Sequence, residues 1–151
     1  MTDSAPNPAG ALPARIAPEV RLAIEALVAE HAWLIDHGEA GRIADLFTDD
    51  GRLIGLGPDM VGREAIKAWG LARAAMTERT SRHVCTNLRL VDRGDGTVEG
   101  HAILTVYRHD GTQPGHPLPF AVADYADVYR LGDDGHWRFG ERKLATVFVA
   151  R

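Results

Sequence analysis

The chain has 151 residues, 45% hydrophobic and 25% charged, the proportions of one globular domain large enough to hold both a core and an internal pocket. Lys and Arg number 17 and Asp and Glu 21, a net charge of −4 with no basic stripe, which argues against nucleic acid and anionic membrane as partners. The lone cysteine, Cys85, excludes an internal disulfide and a multi-cysteine zinc site and fits a reducing, cytoplasmic setting.

Residues 1–15 are rich in Pro, Ala and Gly, too poor in apolar side chains to offset the entropy of ordering, and read as a mobile tail. This stretch lacks the basic-then-apolar pattern of a signal peptide, and no later run of about 18 apolar residues suits a membrane span. Residues 16–151 read as a single domain.

Pro18 opens a helix in which Val20, Ile24, Leu27, Val28, His31 and Ile35 form one apolar stripe and Gly38 is the stop signal. A second, short helix carries Ile43, Leu46 and Phe47 and ends at the turn Asp49-Asp50-Gly51; a strand follows over Arg52–Leu56. Gly62 precedes a third helix with Ile66, Trp69, Arg73 and Met76 along one side. Beyond Thr80 the period becomes two. Arg82–Val91 alternates, with Val84, Leu88 and Leu90 on one face and His83, Cys85 and Asn87 on the other. Arg93-Gly94-Asp95-Gly96 is a hairpin turn, Thr97–Arg108 a long strand, and His109–Pro119 a Gly- and Pro-rich loop. Phe120–Leu131 and Trp137–Val149 are the last strands, joined by the turn Gly132-Asp133-Asp134-Gly135. Helices first and an antiparallel meander last predict an α+β fold with helices on one face of a curved sheet. Ala102, Leu104 and Val106 on one face of a strand and Ile103 and Tyr107 on the other predict a sheet apolar on both faces, hence a homo-oligomer.

Three groups of residues resemble the nuclear transport factor 2-like superfamily. They are Ile24-Glu25-Ala26-Leu27 with Leu34-Ile35-Asp36-His37-Gly38-Glu39 and Leu46-Phe47-Thr48-Asp49-Asp50-Gly51; Gly62-Arg63-Glu64-Ala65-Ile66; and Arg82-His83 through Thr86-Asn87-Leu88-Arg89-Leu90 with Asp134-Gly135-His136-Trp137-Arg138-Phe139. The resemblance implies a cone-shaped α+β barrel. It points to the branch that holds the SnoaL-like proteins, scytalone dehydratase and hexachlorocyclohexane dehydrochlorinase; resemblance to the dehydratase branch implies a trimer, and other branches of the superfamily imply a dimer. In the two enzymes an Asp at the end of the first helix works with a His on a strand, and Asp36 and His83 match those positions. His31 and Arg142 match further positions of the dehydrochlorinase, while Ile35 stands where the dehydratase has a tyrosine, and Arg108 falls nearest the dehydratase's second histidine.

The chemistry suits these residue types. A carboxylate on one imidazole nitrogen selects the tautomer that leaves the other free as a base, and stabilises the imidazolium that forms. By spacing alone Asp36 reads as a helix-end residue off the apolar stripe, and His83 as one of the polar side chains of an alternating strand. His31 is the residue that periodicity singles out, as either a core histidine or a pocket group. Arg142, Tyr125, Tyr107 and Arg108 are candidate polar groups of a pocket, whereas Trp33, Trp69, Phe47 and Phe120 read as core. The seven histidines form no H-E-x-x-H or Cys/His ligand pattern, and the glycines fit neither nucleotide-binding loop. The expectation is therefore a lyase without cofactor or metal, eliminating water or halide from a hydrophobic cyclic small molecule. Asp36 and His83 would be catalytic, and His31, Arg142, Tyr125 and Arg108 would bind substrate. An isomerase or polyketide cyclase on the same scaffold, and a non-enzymatic small-molecule-binding protein, are the alternatives.

Overall fold

The computed structural model describes residues 15–151; the expected tail lies almost wholly outside them. Helix α1 (Pro18–Asp36) starts with proline in its first turn and buries Ile24, Leu27, Val28, His31, Leu34 and Ile35. Its end is a Schellman arrangement. Gly38 takes φ 82°, a conformation that costs glycine nothing, and the Glu39 N–H reaches back to the Leu34 carbonyl at 2.9 Å. A 3-10 segment, Ala40–Leu46, follows in place of the expected short α-helix. Strand β1 (Phe47–Ile54) starts five residues before the expected Arg52. The Asp49-Asp50-Gly51 stretch is absorbed as an irregularity of register between Phe47 and Arg52 rather than ending an element. Phe47 thus belongs to the sheet and is fully buried. After the two-residue strand β2 (Met60–Val61), α2 (Arg63–Ala74) turns Ile66 into the core. The remaining strands are β3 (Arg79–Asp92), β4 (Thr97–Asp110), β5 (Ala121–Leu131) and β6 (Trp137–Val149).

The six strands form one sheet in the order β2-β1-β6-β5-β4-β3. All neighbours are antiparallel except β1 and β6. The curved sheet is not closed; β2 and β3 are its edges, so the expected cone is an open one. The helices cover the inner face, and among the described residues no helix is long and apolar enough to cross a membrane.

The expected alternation of β3 fails at one point. The ladder to β4 shifts register between Thr86 and Arg89, and Asn87 adopts φ 56°, a left-handed conformation that asparagine tolerates better than most residues. The bulge changes the phase of the strand. Leu88 and Leu90 pack inward, while Val84, expected on their face, is 43% exposed. Ahead of the bulge, Ser81, His83 and Cys85 are the residues turned inward.

Large side chains fill one end of the space between sheet and helices. Ile24, Ile43, Phe47, Ile66, Leu90, Val98, Tyr129 and Phe139 form this core. Toward the other end β5 contributes Ala121 and Ala123, and a cavity remains. Two aromatic residues expected in the core are elsewhere: Trp33 is 55% exposed and Phe120 36%. Trp33 instead stacks its ring on His37 at 3.7 Å between centroids.

Candidate functional site

Asp36 is the last residue of α1, and β3, the edge strand, runs beside that flank of the helix. Glu25, Ala29, Ala32 and Asp36 share the flank at helical spacing and line an open groove of about 880 Å³ between α1 and β3. The two alanines let the strand approach; this small-residue flank is the sequence signal that would have turned Asp36 inward despite its position off the main stripe.

The Asp36 carboxylate is clasped by β3. Oδ1 lies 2.6 Å from His83 Nδ1 and accepts from the Ser81 hydroxyl at 2.8 Å. Oδ2 accepts from the His83 backbone N–H at 2.7 Å. The Ser81 oxygen in turn accepts from Arg73 Nη2 at 2.9 Å. Burial works to raise the Asp36 pKa, but the bonds from His83 and then Ser81 outweigh it and hold the carboxyl below its ordinary value. Asp36 is therefore ionised at neutral pH, and the tautomer it favours carries the proton on Nδ1. Nε2 of His83 takes no hydrogen bond among the described residues. Sequence reasoning missed Ser81, though it shares the face of His83 two positions on, and gave Arg73 no role beyond its helix face.

His83 also borders the inner cavity, about 210 Å³, whose wall includes His31, Ile35, Trp69, Val106, Tyr125 and Leu144. His31 and His83 thus share this cavity, and Asp36 sits behind His83 on the groove side. His31 is buried at 3% exposure, edge-on to Phe139 at 5.5 Å and to Phe47 at 6.2 Å, and its Nε2 has no hydrogen-bond partner. Burial, with the charge of Arg142 adding to it, pushes its pKa well below 6.5.

A stability prediction follows for His31. A histidine buried neutral contributes no pH dependence above 6.5, where the unfolded chain is neutral too. Below that value the unfolded state takes up a proton that the fold refuses. The protein is expected to lose about 1.4 kcal/mol per pH unit from this residue as pH falls. Urea titrations at a series of pH values between 7 and 5 should show that slope in the wild type, and a shallower one in His31→Leu.

Arg142, expected as an anion-binding group, is fully buried and committed elsewhere. Its Nε and Nη2 donate to Asp127 Oδ1 and Oδ2, each at 2.9 Å, and Tyr129 donates to Asp127 Oδ2 at 2.7 Å. The guanidinium lies 3.8 Å from the Tyr125 ring centroid and 4.2 Å from that of Phe139. Burial opposes its charge, but the Asp127 carboxylate overrides this and raises its pKa above the ordinary arginine value. It does not line the inner cavity, although its Nη1 has no partner. Asp127 was not anticipated. The signal was its place between Tyr125 and Tyr129 on the inward face of β5, in register with Arg142 of β6.

Tyr125 lines the cavity, and burial pushes its phenol pKa up, so it is a neutral wall. Arg108 lines the cavity near Phe120, whereas Tyr107 opens onto a separate surface cleft. The Cys85 thiol pKa is raised by burial, which disfavours the nucleophilic thiolate. Among the described residues no group of three or more His, Cys, Asp and Glu could hold a metal ion.

This fold, with helices over a curved sheet and an inward site at the end of the first helix, places the chain in a class that comparison identifies. Residues 18–143 match the SnoaL-like domain, and the chain belongs to that family. Its structure is similar to a variant of a Mycobacterium tuberculosis protein of unknown function, with 26% identity, a TM-score of 0.74, and coverage of 87% of this chain and 79% of that one. An NTF2-like protein with a cystatin-like fold from Novosphingobium aromaticivorans gives 25% identity and a TM-score of 0.72, covering 85% and 82%. A candidate scytalone dehydratase from the same organism is 21% identical with a TM-score of 0.74, covering 87% and 86%. Comparison with curated proteins gives no match.

Proposed function

We propose that the protein is a cytoplasmic lyase that needs no cofactor and eliminates water or halide from a hydrophobic, cyclic small molecule. The observation that carries this reading is the contact of His83 Nδ1 with Asp36 Oδ1 at 2.6 Å in a histidine that borders an apolar cavity. His83 Nε2 takes a proton from a C–H of the substrate, the released electron pair forms the carbon–carbon double bond, and the leaving group departs from the neighbouring carbon. A halide leaves as the anion. A hydroxyl leaves as water, with the imidazolium returning the proton it has just taken. Asp36 holds the imidazolium during this interval. His31, with its unpartnered Nε2, and Arg108 are the polar groups of the cavity wall that contact the substrate, and Tyr125 shapes it. Arg142, its charge paired with Asp127, supports the Tyr125 wall from behind.

A panel of cyclic hydroxy- and halo-compounds, assayed for elimination products by mass spectrometry with and without EDTA, tests the reading. Turnover that persists in chelator is expected; a panel in which the only activity requires added metal would overturn it. The proposal includes a homo-oligomer, trimer or dimer, through the outer face of the sheet, where Val84, Ile103 and Val147 are exposed. Light scattering should give a multiple of the 16.4 kDa chain mass, and a monomer at micromolar concentration would rule the interface out.

A further inference from the structure

Three guanidinium groups converge on the wall of the inner cavity: Arg73 of α2, Arg79 of β3 and Arg108 of β4. They are unevenly neutralised. Arg79 binds Asp110 through Nε to Oδ1 at 2.7 Å and Nη2 to Oδ2 at 3.0 Å. Arg108 Nη2 shares that same Oδ2 at 2.7 Å. One carboxylate therefore serves two arginines. Arg73 forms no ion pair among the described residues; of its five N–H donors, one goes to Ser81 Oγ at 2.9 Å and no other hydrogen bond of its side chain is made there. The Asp36 carboxylate already takes three contacts, from the Ser81 hydroxyl, the His83 backbone N–H and His83 Nδ1. With His83 neutral, Arg73, Arg79 and Arg108 against Asp36 and Asp110 leave an excess of one positive charge, in a chain whose net charge is −4.

We propose that Arg73, backed by Arg79 and Arg108, binds a carboxylate on the substrate, so that the substrate class is an apolar ring or chain bearing an acid group. The inference rests on the lyase reading for the identity of the site but concerns binding alone. A guanidinium is a planar fork that matches a carboxylate in two parallel hydrogen bonds. Ser81 holds that of Arg73 from one side and leaves most of its donors for a ligand. Ile35, Leu53, Val106 and Leu144 offer the apolar walls for the rest of the molecule. A low-dielectric pocket with an uncompensated positive charge draws anions in and strengthens their pairing once bound. Anchoring the acid at Arg73 also places the substrate's body against His83, two residues from Ser81 on the same face of β3.

The test uses two probes of the same shape, 2-naphthoate and its neutral amide, titrated calorimetrically into the intact protein. The wild type should bind the acid about tenfold or more tightly than the amide, the size of one charge-assisted hydrogen bond. Arg73→Met should abolish that preference while leaving amide affinity unchanged; a merely structural role for Arg73 would weaken both probes alike. Arg108→Met, which should narrow the preference, serves if Arg73→Met does not fold, and Arg93→Gln, in the distant β3–β4 turn, should change nothing. His83→Gln should keep the preference, which separates binding from chemistry: turnover that survives His83→Gln within about tenfold, with the preference intact, sinks the lyase reading and leaves this one standing. Equal affinity for acid and amide in the wild type, no binding of naphthoate at millimolar concentration, or a preference that survives in both Arg73→Met and Arg108→Met overturns the proposal.

Discussion

Replacing His83 by alanine is expected to lower kcat for an active substrate by about 10²- to 10⁴-fold, the usual worth of a positioned general base, with KM little changed. A base acts in the transition state, so kcat and kcat/KM should fall together. His83→Gln should do the same, since an amide cannot accept and carry the proton. Asp36→Asn should be comparably damaging for a reason visible in the hydrogen bonds. The Asp36 oxygen that meets His83 Nδ1 at 2.6 Å would become an NH₂ group whenever the amide oxygen stays on the His83 backbone N–H. That donor favours the tautomer protonated on Nε2, which leaves no free nitrogen to take the substrate's proton. Steady-state kinetics on the three variants, with circular dichroism to establish folding, decide the matter. Turnover within about tenfold of wild type in both His83→Ala and Asp36→Asn would show that the contact is structural and that the cavity works through other groups.

Arg142→Met is expected to destabilise the fold by about 3–5 kcal/mol, because it strands the Asp127 carboxylate in the interior with only Tyr129 as donor. Both side chains of the pair are completely buried, so no solvent is at hand to replace the lost bonds. Methionine preserves much of the packing between Tyr125 and Phe139, which confines the loss to the charge. The double variant Arg142→Met/Asp127→Leu should recover a large part of the stability, since the penalty belongs to the unpaired charge more than to the missing bridge. Urea denaturation of both variants measures the two values. A single-variant loss below about 1 kcal/mol would mean that water reaches the site and that the pair contributes no more than a surface bridge.

Local chemistry made much of this protein legible before its structure. Proline at the start of α1, glycine after its end and apolar residues at helical spacing defined that helix to within a residue or two, since caps and periodicity depend only on near neighbours. The change to a period of two marked the meander, and the turns Arg93–Gly96 and Gly132–Gly135 marked two of its hairpins. Resemblance supplied the pairing of Asp36 with His83; spacing could not, because the two are 47 positions apart and meet only when the edge strand lies along the alanine flank of α1. Tertiary structure alone decided the rest. The bulge at Asn87 reversed the phase of β3, for a single inserted residue turns every later side chain to the opposite face. Pairing of β1 with β6 drew Phe47 out of the expected helix and through the Asp49–Gly51 turn signal, because ladder hydrogen bonds and burial outweigh a local turn preference. Register between β5 and β6 set Asp127 against Arg142, and three separate elements brought Arg73, Arg79 and Arg108 to one cavity. A charge on its own says nothing of which carboxylate it will meet; that depends on distances between strands far apart in sequence, which only the folded sheet determines.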